Sequence, residues 1–362
     1  MSFSRLWTIA RLELLQRVRT VSWYVLLGVF ALLLVGITLL AFLAYGFVDR
    51  AGAGVYSVVV NITLLLVLLV APTLSGNSIN GDRDAATLAP VQVTLATTGE
   101  ILLGKFVAAW LTGLAFAAVT VPFLIIATFA GGVDPIVVLV SSVVLVVETG
   151  IIAAIGVAIS GILARPLFSV ATTYLIVAAF AIGSLIGFGL VGASVSSEAT
   201  NSYRSAVYDP VTGEPQCVEG VESCGSNPEQ MVCGEWQVDT YNVPRFDRVW
   251  WLLATNPFVI LADATPTQFD EHGDPVDVFG WIKVGVRGAQ QPPQLETSWD
   301  ECAPWEDQQD EVPTGEEIVA NSVPSWFVGL GVQVLLAVVL LWWAWLRTRT
   351  PARTLPPGTR IA

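Results

Sequence analysis

Six long apolar runs dictate what this chain can fold into. They cover residues 21–47, 55–74, 106–130, 136–163, 167–192 and 325–346, and the single charged residue among them is Glu148. A bilayer core of about 30 Å is crossed by about 20 helical residues, so each run is long enough to span. The composition agrees. The chain is 54% hydrophobic and only 13% charged, against about 25% charged in ordinary soluble domains. The expected fold class is an α-helical integral membrane protein with six transmembrane helices. The first run is too long for a secretory signal core and has no convincing small-x-small cleavage site in good position, so it is expected to stay as a helix.

The net charge of −13 is unevenly spread. Residues 194–324 hold 23 acids and five bases, and the remainder of the chain carries an excess of bases. That acidic segment also holds all four cysteines, Cys217, Cys224, Cys233 and Cys302. An even number of cysteines confined to one polar segment reads as two disulfides in an oxidising space. Three pairings are open. Zinc is disfavoured, because no Cys-x2-Cys pair occurs and His272 is the one histidine.

Orientation follows from the bases. With the amino terminus inside, the inner segments carry Arg5, Arg11, Arg17, Arg19, Arg83, Lys105, Arg165, Arg347, Arg349, Arg353 and Arg360, whereas the short outer turns carry Arg50 alone. The same orientation puts the cysteines outside. The expected layout is therefore a cytoplasmic amphipathic segment at 1–20 and five transmembrane helices within 21–192. An extracytoplasmic, acidic, disulfide-bearing domain follows at 193–324, inserted between helices 5 and 6. The last helix is at 325–346, and a basic cytoplasmic tail at 347–362. The expected location is the plasma membrane, and nothing in the acidic balance favours a nucleic-acid partner.

Within the outer insert, residues 249–261 are apolar but too short to span. They read as a re-entrant or interfacial segment broken at Asn256-Pro257, or else as the core of the outer domain. Asp270, Glu271, Asp274 and Asp277 lack the ligand spacing of a calcium loop and read as a solvated acidic turn.

The one substantial polar interruption among the first five runs is 75–105. Its charges are Asp82, Arg83, Asp84, Glu100 and Lys105, and Leu88, Val91, Leu95, Ile101 and Leu102 recur at roughly helical spacing. It reads as one or two short amphipathic helices under the bundle. Here Gly81-Asp82-Arg83-Asp84, Ala86-Thr87-Leu88, Pro90 and Glu100-Ile101-Leu102-Leu103-Gly104-Lys105 resemble the loop between the second and third membrane helices of ABC-2-type transporter permeases. Asp82 stands where that family usually has Glu, and Ala86 where Gly usually precedes the Thr.

The resemblance implies a coupling helix that docks on a separate Walker-motif ATPase, with Asp82, Arg83, Asp84, Thr87, Leu88, Glu100 and Lys105 as coupling residues. It further implies a permease subunit paired with a second copy or a paralogue. ATP would be bound by the partner and not by this chain. Segment 1–20 would be a connecting helix along the inner surface. The Asn256-Pro257 segment is similar to the external hairpin before the last helix of such permeases. The position of the large insert is similar to the disulfide-bearing loop of the G-subfamily half-transporters.

Three further features stand inside the apolar runs. Glu148 lies near the middle of the fourth, where a carboxylate is costly. It reads either as a substrate or proton contact in a translocation path or as a protonated or hydrogen-bonded group at a helix interface. Asn61, with Thr63, reads as a helix–helix hydrogen-bonding group, and Gly183-x-x-x-Gly187 as a small-residue pattern allowing close helix approach. No phosphate loop, His-Glu-x2-His or Gly-x-Ser-x-Gly appears, so no enzymatic activity is expected of the chain itself. The expected function is export of an amphipathic or lipophilic compound of unknown identity across the bilayer. The rival is a membrane-anchored sensor, receptor or assembly factor acting through its cysteine-bearing domain.

Overall fold

The computed structural model describes residues 2–46, 51–85, 96–221, 223–224, 227, 230–304 and 313–349. Among them, six helices are long and apolar enough to cross a membrane, and the chain is a multi-pass helical membrane protein. An amphipathic helix, α1 (Phe3–Val18), precedes span 1, α2 (Val21–Tyr45). Span 2 is α3 (Ala51–Ser75), followed through a turn by the short α4 (Asn80–Asp84). Span 3 is α5 (Thr98–Val119) with α6 (Val121–Phe129), and span 4 is α7 (Pro135–Ile162). Span 5 is α8 (Pro166–Ala178), a π-turn (Ala179–Gly183) and α9 (Ser184–Ser194).

Local chemistry sets these boundaries. Span 3 begins at Thr98, earlier than its apolar run at 106, because Thr97 and Glu100 form a capping box. Glu100 N–H donates to Thr97 Oγ1 at 3.3 Å and Thr97 N–H donates to Glu100 Oε2 at 2.8 Å. The same span breaks at Thr120. Pro122 has no N–H to continue the ladder, and Thr120 Oγ1 donates back to Ala117 O at 2.6 Å. Asp134 caps span 4 with Pro135 at the first helical position.

Between spans 5 and 6 the chain leaves the bundle. β1 (Ser196–Arg204) runs directly from α9 and is the middle strand of a three-stranded sheet. It pairs antiparallel with β2 (Gln237–Pro244) and parallel with β3 (Glu296–Asp300). These strands are largely polar, with no apolar-polar alternation to announce them. Disulfides join Cys217 to Cys224 and Cys233 to Cys302. Arg204 grips Asp300 with two hydrogen bonds, at 2.9 and 2.5 Å, beside the second disulfide.

Between β2 and β3 lie α10 (Trp251–Ala254), α11 (Pro257–Ala264) and α12 (Val278–Gly288). Then α13 (Gly315–Ala320) leads to span 6, α14 (Trp326–Thr348).

Spans 2 and 4 are the most buried and form the centre of the bundle, while span 5 is the least buried. Around them one apolar cluster unites Phe30, Leu34, Leu64, Phe116 and Leu145 with Ile260 and Leu261 of α11. The helical pair α10–α11 is therefore sunk into the bundle and not laid on it. A second cluster joins Ile79, Ile101, Leu102, Ile155 and Leu340 at the end where α1 and α14's last turn lie.

Close helix approach occurs at glycines other than those read from the sequence. A methyl at Gly156 would fall 1.9 Å from Ser75 Oγ, one at Gly161 2.9 Å from Ala344 Cβ, and one at Gly329 1.6 Å from Ala254 O. Gly183 meets only its own helix, and Gly187 approaches nothing nearer than Leu252 at 4.0 Å. The Gly183-x-x-x-Gly187 expectation is thus corrected: those residues lie on a face that no other described span approaches.

Candidate functional site

Two polar constructions stand out. The first lies at the end of the bundle that holds α1, α4, the start of α5 and the end of α14. Lys105, 2% exposed, ion-pairs with Glu13 of α1 and with Asp82 at 2.6 Å, and donates to Ser78 O at 2.8 Å. Glu100, also buried, accepts from the Ser2 and Thr97 N–H groups at 2.5 and 2.8 Å and pairs with Arg5 at 3.3 Å. Arg17 reaches back to Leu74 O at 2.8 Å. Ser160 Oγ accepts from the Ile79 and Asn80 N–H groups, and Arg83 donates to Gly161 O at 3.2 Å. Through these contacts α1, the polar stretch after span 2 and the starts and ends of spans 3 and 4 are one buttressed platform.

The sequence-derived residues divide here. Glu100 and Lys105 point inward and hold α1, so they do not face a partner directly. Asp82 and Arg83 are engaged within the platform, and Asp84 is exposed. Thr87 and Leu88 lie outside the described residues. Of the expected amphipathic helices, α4 is present, and Glu100–Lys105 belongs to span 3 itself.

The second construction is at the centre of the bundle. Glu148 is fully buried, and neither carboxyl oxygen has a hydrogen-bond partner among the described residues. The hydrogen-bonded reading of Glu148 is therefore corrected. Most of its neighbours are hydrocarbon, and the one amide beside it, Gln333, makes no hydrogen bond to it. Beside it is a cavity of about 10 Å³, lined by Leu68, Ile152, Val177, Phe180, Pro257 and Gln333. Among the described residues Asn61 likewise makes no hydrogen bond to another helix. Its Nδ2 donates to Ser57 O, one turn back, at 2.9 Å, because the i−4 carbonyl is the nearest acceptor on its own helix.

The Asn256-Pro257 break occurs where expected. Asn256 Oδ1 accepts from the Phe258 N–H at 3.0 Å as the N-cap of α11, and Pro257 takes the first helical position. The Asn256 amide also donates to Ala181 O at 2.9 Å and Ser184 Oγ at 3.0 Å. Ala181 lies in the π-turn, whose altered ladder leaves a carbonyl for an outside donor.

The residues that sequence reading missed tie this hairpin to span 6. Asp263, at the end of α11, accepts from Arg287 Nε at 2.6 Å with one oxygen. Its other oxygen accepts from the Ser325 N–H, the Ser325 hydroxyl and the Trp326 N–H at 2.6, 3.0 and 3.0 Å. One carboxylate thus pairs with α12 and caps the amino-terminal end of span 6, where a negative charge suits the helix dipole. Lys283 donates to Thr265 O at 2.5 Å, and Gln333 of span 6 donates to Thr255 O at 2.9 Å.

Asp277 belongs to the same assembly, and its reading as part of a solvated acidic turn is corrected. It is 5% exposed and accepts from the Gly280 N–H at 2.8 Å as the cap of α12. Burial pushes its carboxyl up to about 6 and pushes the Lys283 amine down to about 8. The available signal was the spacing of Val278, Phe279, Ile282 and Val286, which marks an amphipathic helix carrying Lys283 and Arg287.

Among the described residues no group of His, Cys, Asp and Glu could hold a metal ion. No protein-family model matches the chain, and no curated protein matches it.

Proposed function

We propose that the protein is the membrane-spanning permease subunit of an ATP-binding cassette transporter, exporting an amphipathic or lipophilic compound. A separate Walker-motif ATPase docks on the 75–105 stretch, and a second copy or a paralogue completes the assembly. In this reading both termini are cytoplasmic and residues 193–324 are extracytoplasmic. The concentration of bases on one side of the bundle and of disulfides on the other supports that orientation.

The observation that carries the reading is the platform around Lys105. A stretch that docks a motor must transmit displacement, and this one is anchored to α1 and to spans 2, 3 and 4 by ion pairs and buried hydrogen bonds. A docked ATPase would bias the bundle only by binding one arrangement of that platform more tightly than another. Asp84 is exposed and available for contact, while Glu100 and Lys105 carry the load into the bundle.

The rival, a membrane-anchored sensor acting through the sheet and disulfide region, draws on the separate architecture of that region. Affinity purification of the full chain from its native membrane in a mild detergent separates the two. A stoichiometric Walker-motif ATPase, lost when Asp84 is changed to Lys together with replacement of residues 86–95 by a Gly-Ser linker, is the expected result. Recovery of no ATPase in several mild detergents would overturn the permease reading.

A further inference from the structure

Glu148 is the single charged residue in the six apolar runs, and the fold places it where none of the described residues answers its charge. An ionised carboxylate in hydrocarbon needs a counter-charge or several donors. Span 2 presents Leu68 to the cavity beside it, span 4 Ile152, span 5 Val177 and Phe180, the hairpin Pro257 and span 6 Gln333. None of these titrates, and Glu148 is the one titratable group lining the space. The Gln333 amide is neutral and gives one N–H to Thr255 O, and neither Glu148 oxygen accepts from it. No described residue supplies a counter-charge, and the space admits one water-sized guest at most.

The way to this space is also defined. Pro257 forms one wall, and the residue before it is tied across to span 5 through Ala181 O and Ser184 Oγ. That tie lands on the π-turn, whose Phe180 forms another wall. Hairpin and π-turn thus form adjoining walls of the cavity and are tied to each other, so separating them would open that side to water.

We propose that Glu148 is a proton-binding site gated by the Asn256 hairpin. With the hairpin seated, the carboxyl holds its proton and is neutral. When the hairpin parts from the π-turn, water enters and takes the proton as hydronium, leaving the carboxylate solvated. Reseating requires the reverse transfer, so one proton is released and one rebound per opening. The inference does not rest on an ATPase partner, and its test needs none.

The test is infrared spectroscopy of the full chain in lipid nanodiscs. At neutral pH the wild type shows a carboxylic-acid carbonyl band that shifts slowly after transfer to deuterated water. The band is absent in Glu148→Gln and displaced in frequency in Glu148→Asp, which keeps an acid should the amide variant fail to fold. Ser184→Ala removes one of the two hairpin ties and leaves the α11 cap intact. It speeds the deuterium shift of that band roughly fivefold, the effect of losing one hydrogen bond of ordinary net strength. Absence of a Glu148-dependent carboxylic-acid band at neutral pH overturns the proton site. A band whose exchange is as slow in Ser184→Ala as in the wild type overturns the hairpin as its gate.

Discussion

Glu100 and Glu148 are both completely buried, yet their surroundings are opposite. Glu100 sits at the rim of the bundle, where helix ends leave backbone N–H groups unspent and Arg5 is within reach. Glu148 sits in the middle of a helix, where the neighbouring backbone groups are used by the helix itself and the side chains around it, Gln333 apart, are hydrocarbon. Burial alone says little about an acid. The supply of donors decides whether it is a joint or a reactive group, and in a membrane bundle that supply is concentrated at helix ends.

Three measurements test this contrast, taken from the largest expected effect. Lys105→Met removes the cation shared by Glu13 and Asp82 and leaves Ser78 O without its donor. Breaking a buried ion pair from one side costs about 3–5 kcal/mol, so a thermal unfolding scan in detergent should show a large loss of stability. A small change would mean that the platform is held by apolar packing alone.

A pH series on the same scan probes the hairpin assembly, where charges are paired but burial still dominates. Asp277 is raised to about 6. Its contribution is complete below the ordinary carboxylate range near 4 and is lost as pH rises through 6, by at most about 3 kcal/mol. Lys283 is lowered to about 8, so stability recovers as pH rises from there towards the ordinary lysine range near 10. Asp277→Asn should flatten the acid limb and leave the alkaline limb in place.

The smallest effect has the opposite sign. Glu148→Leu replaces an unpartnered polar group with an apolar one of similar size and should stabilise the bundle by about 1–2 kcal/mol, the penalty for burying an unsatisfied group. A destabilised Glu148→Leu protein would reveal partners for the carboxyl and erase the distinction from Glu100.

The spans were legible because hydropathy is local. Their limits moved by only a few residues, except in span 3, where a capping box lengthened the helix ahead of its apolar run. The break at Asn256-Pro257 was legible for the same reason: the two residues set their own geometry. Partners distant in sequence were not. Nothing near Lys105 announces Glu13, and nothing near Asp263 announces Ser325. The sheet was missed because strands such as Ser196–Arg204 are polar and do not alternate. Gly183 and Gly187 were misjudged because a glycine pattern marks a smooth face without saying which neighbour, if any, lies against it.

The bond between Cys233 and Cys302 makes a covalent ring of the intervening chain, with the hairpin and α12 inside it. Both cysteines precede span 6, so in an oxidising space the ring can close before the last helix has been threaded into the membrane. Asp263 would then be held within a closed loop while Ser325, which it caps, is still to arrive. Ring closure at that stage would leave the receptacle fastened before span 6 docks into it.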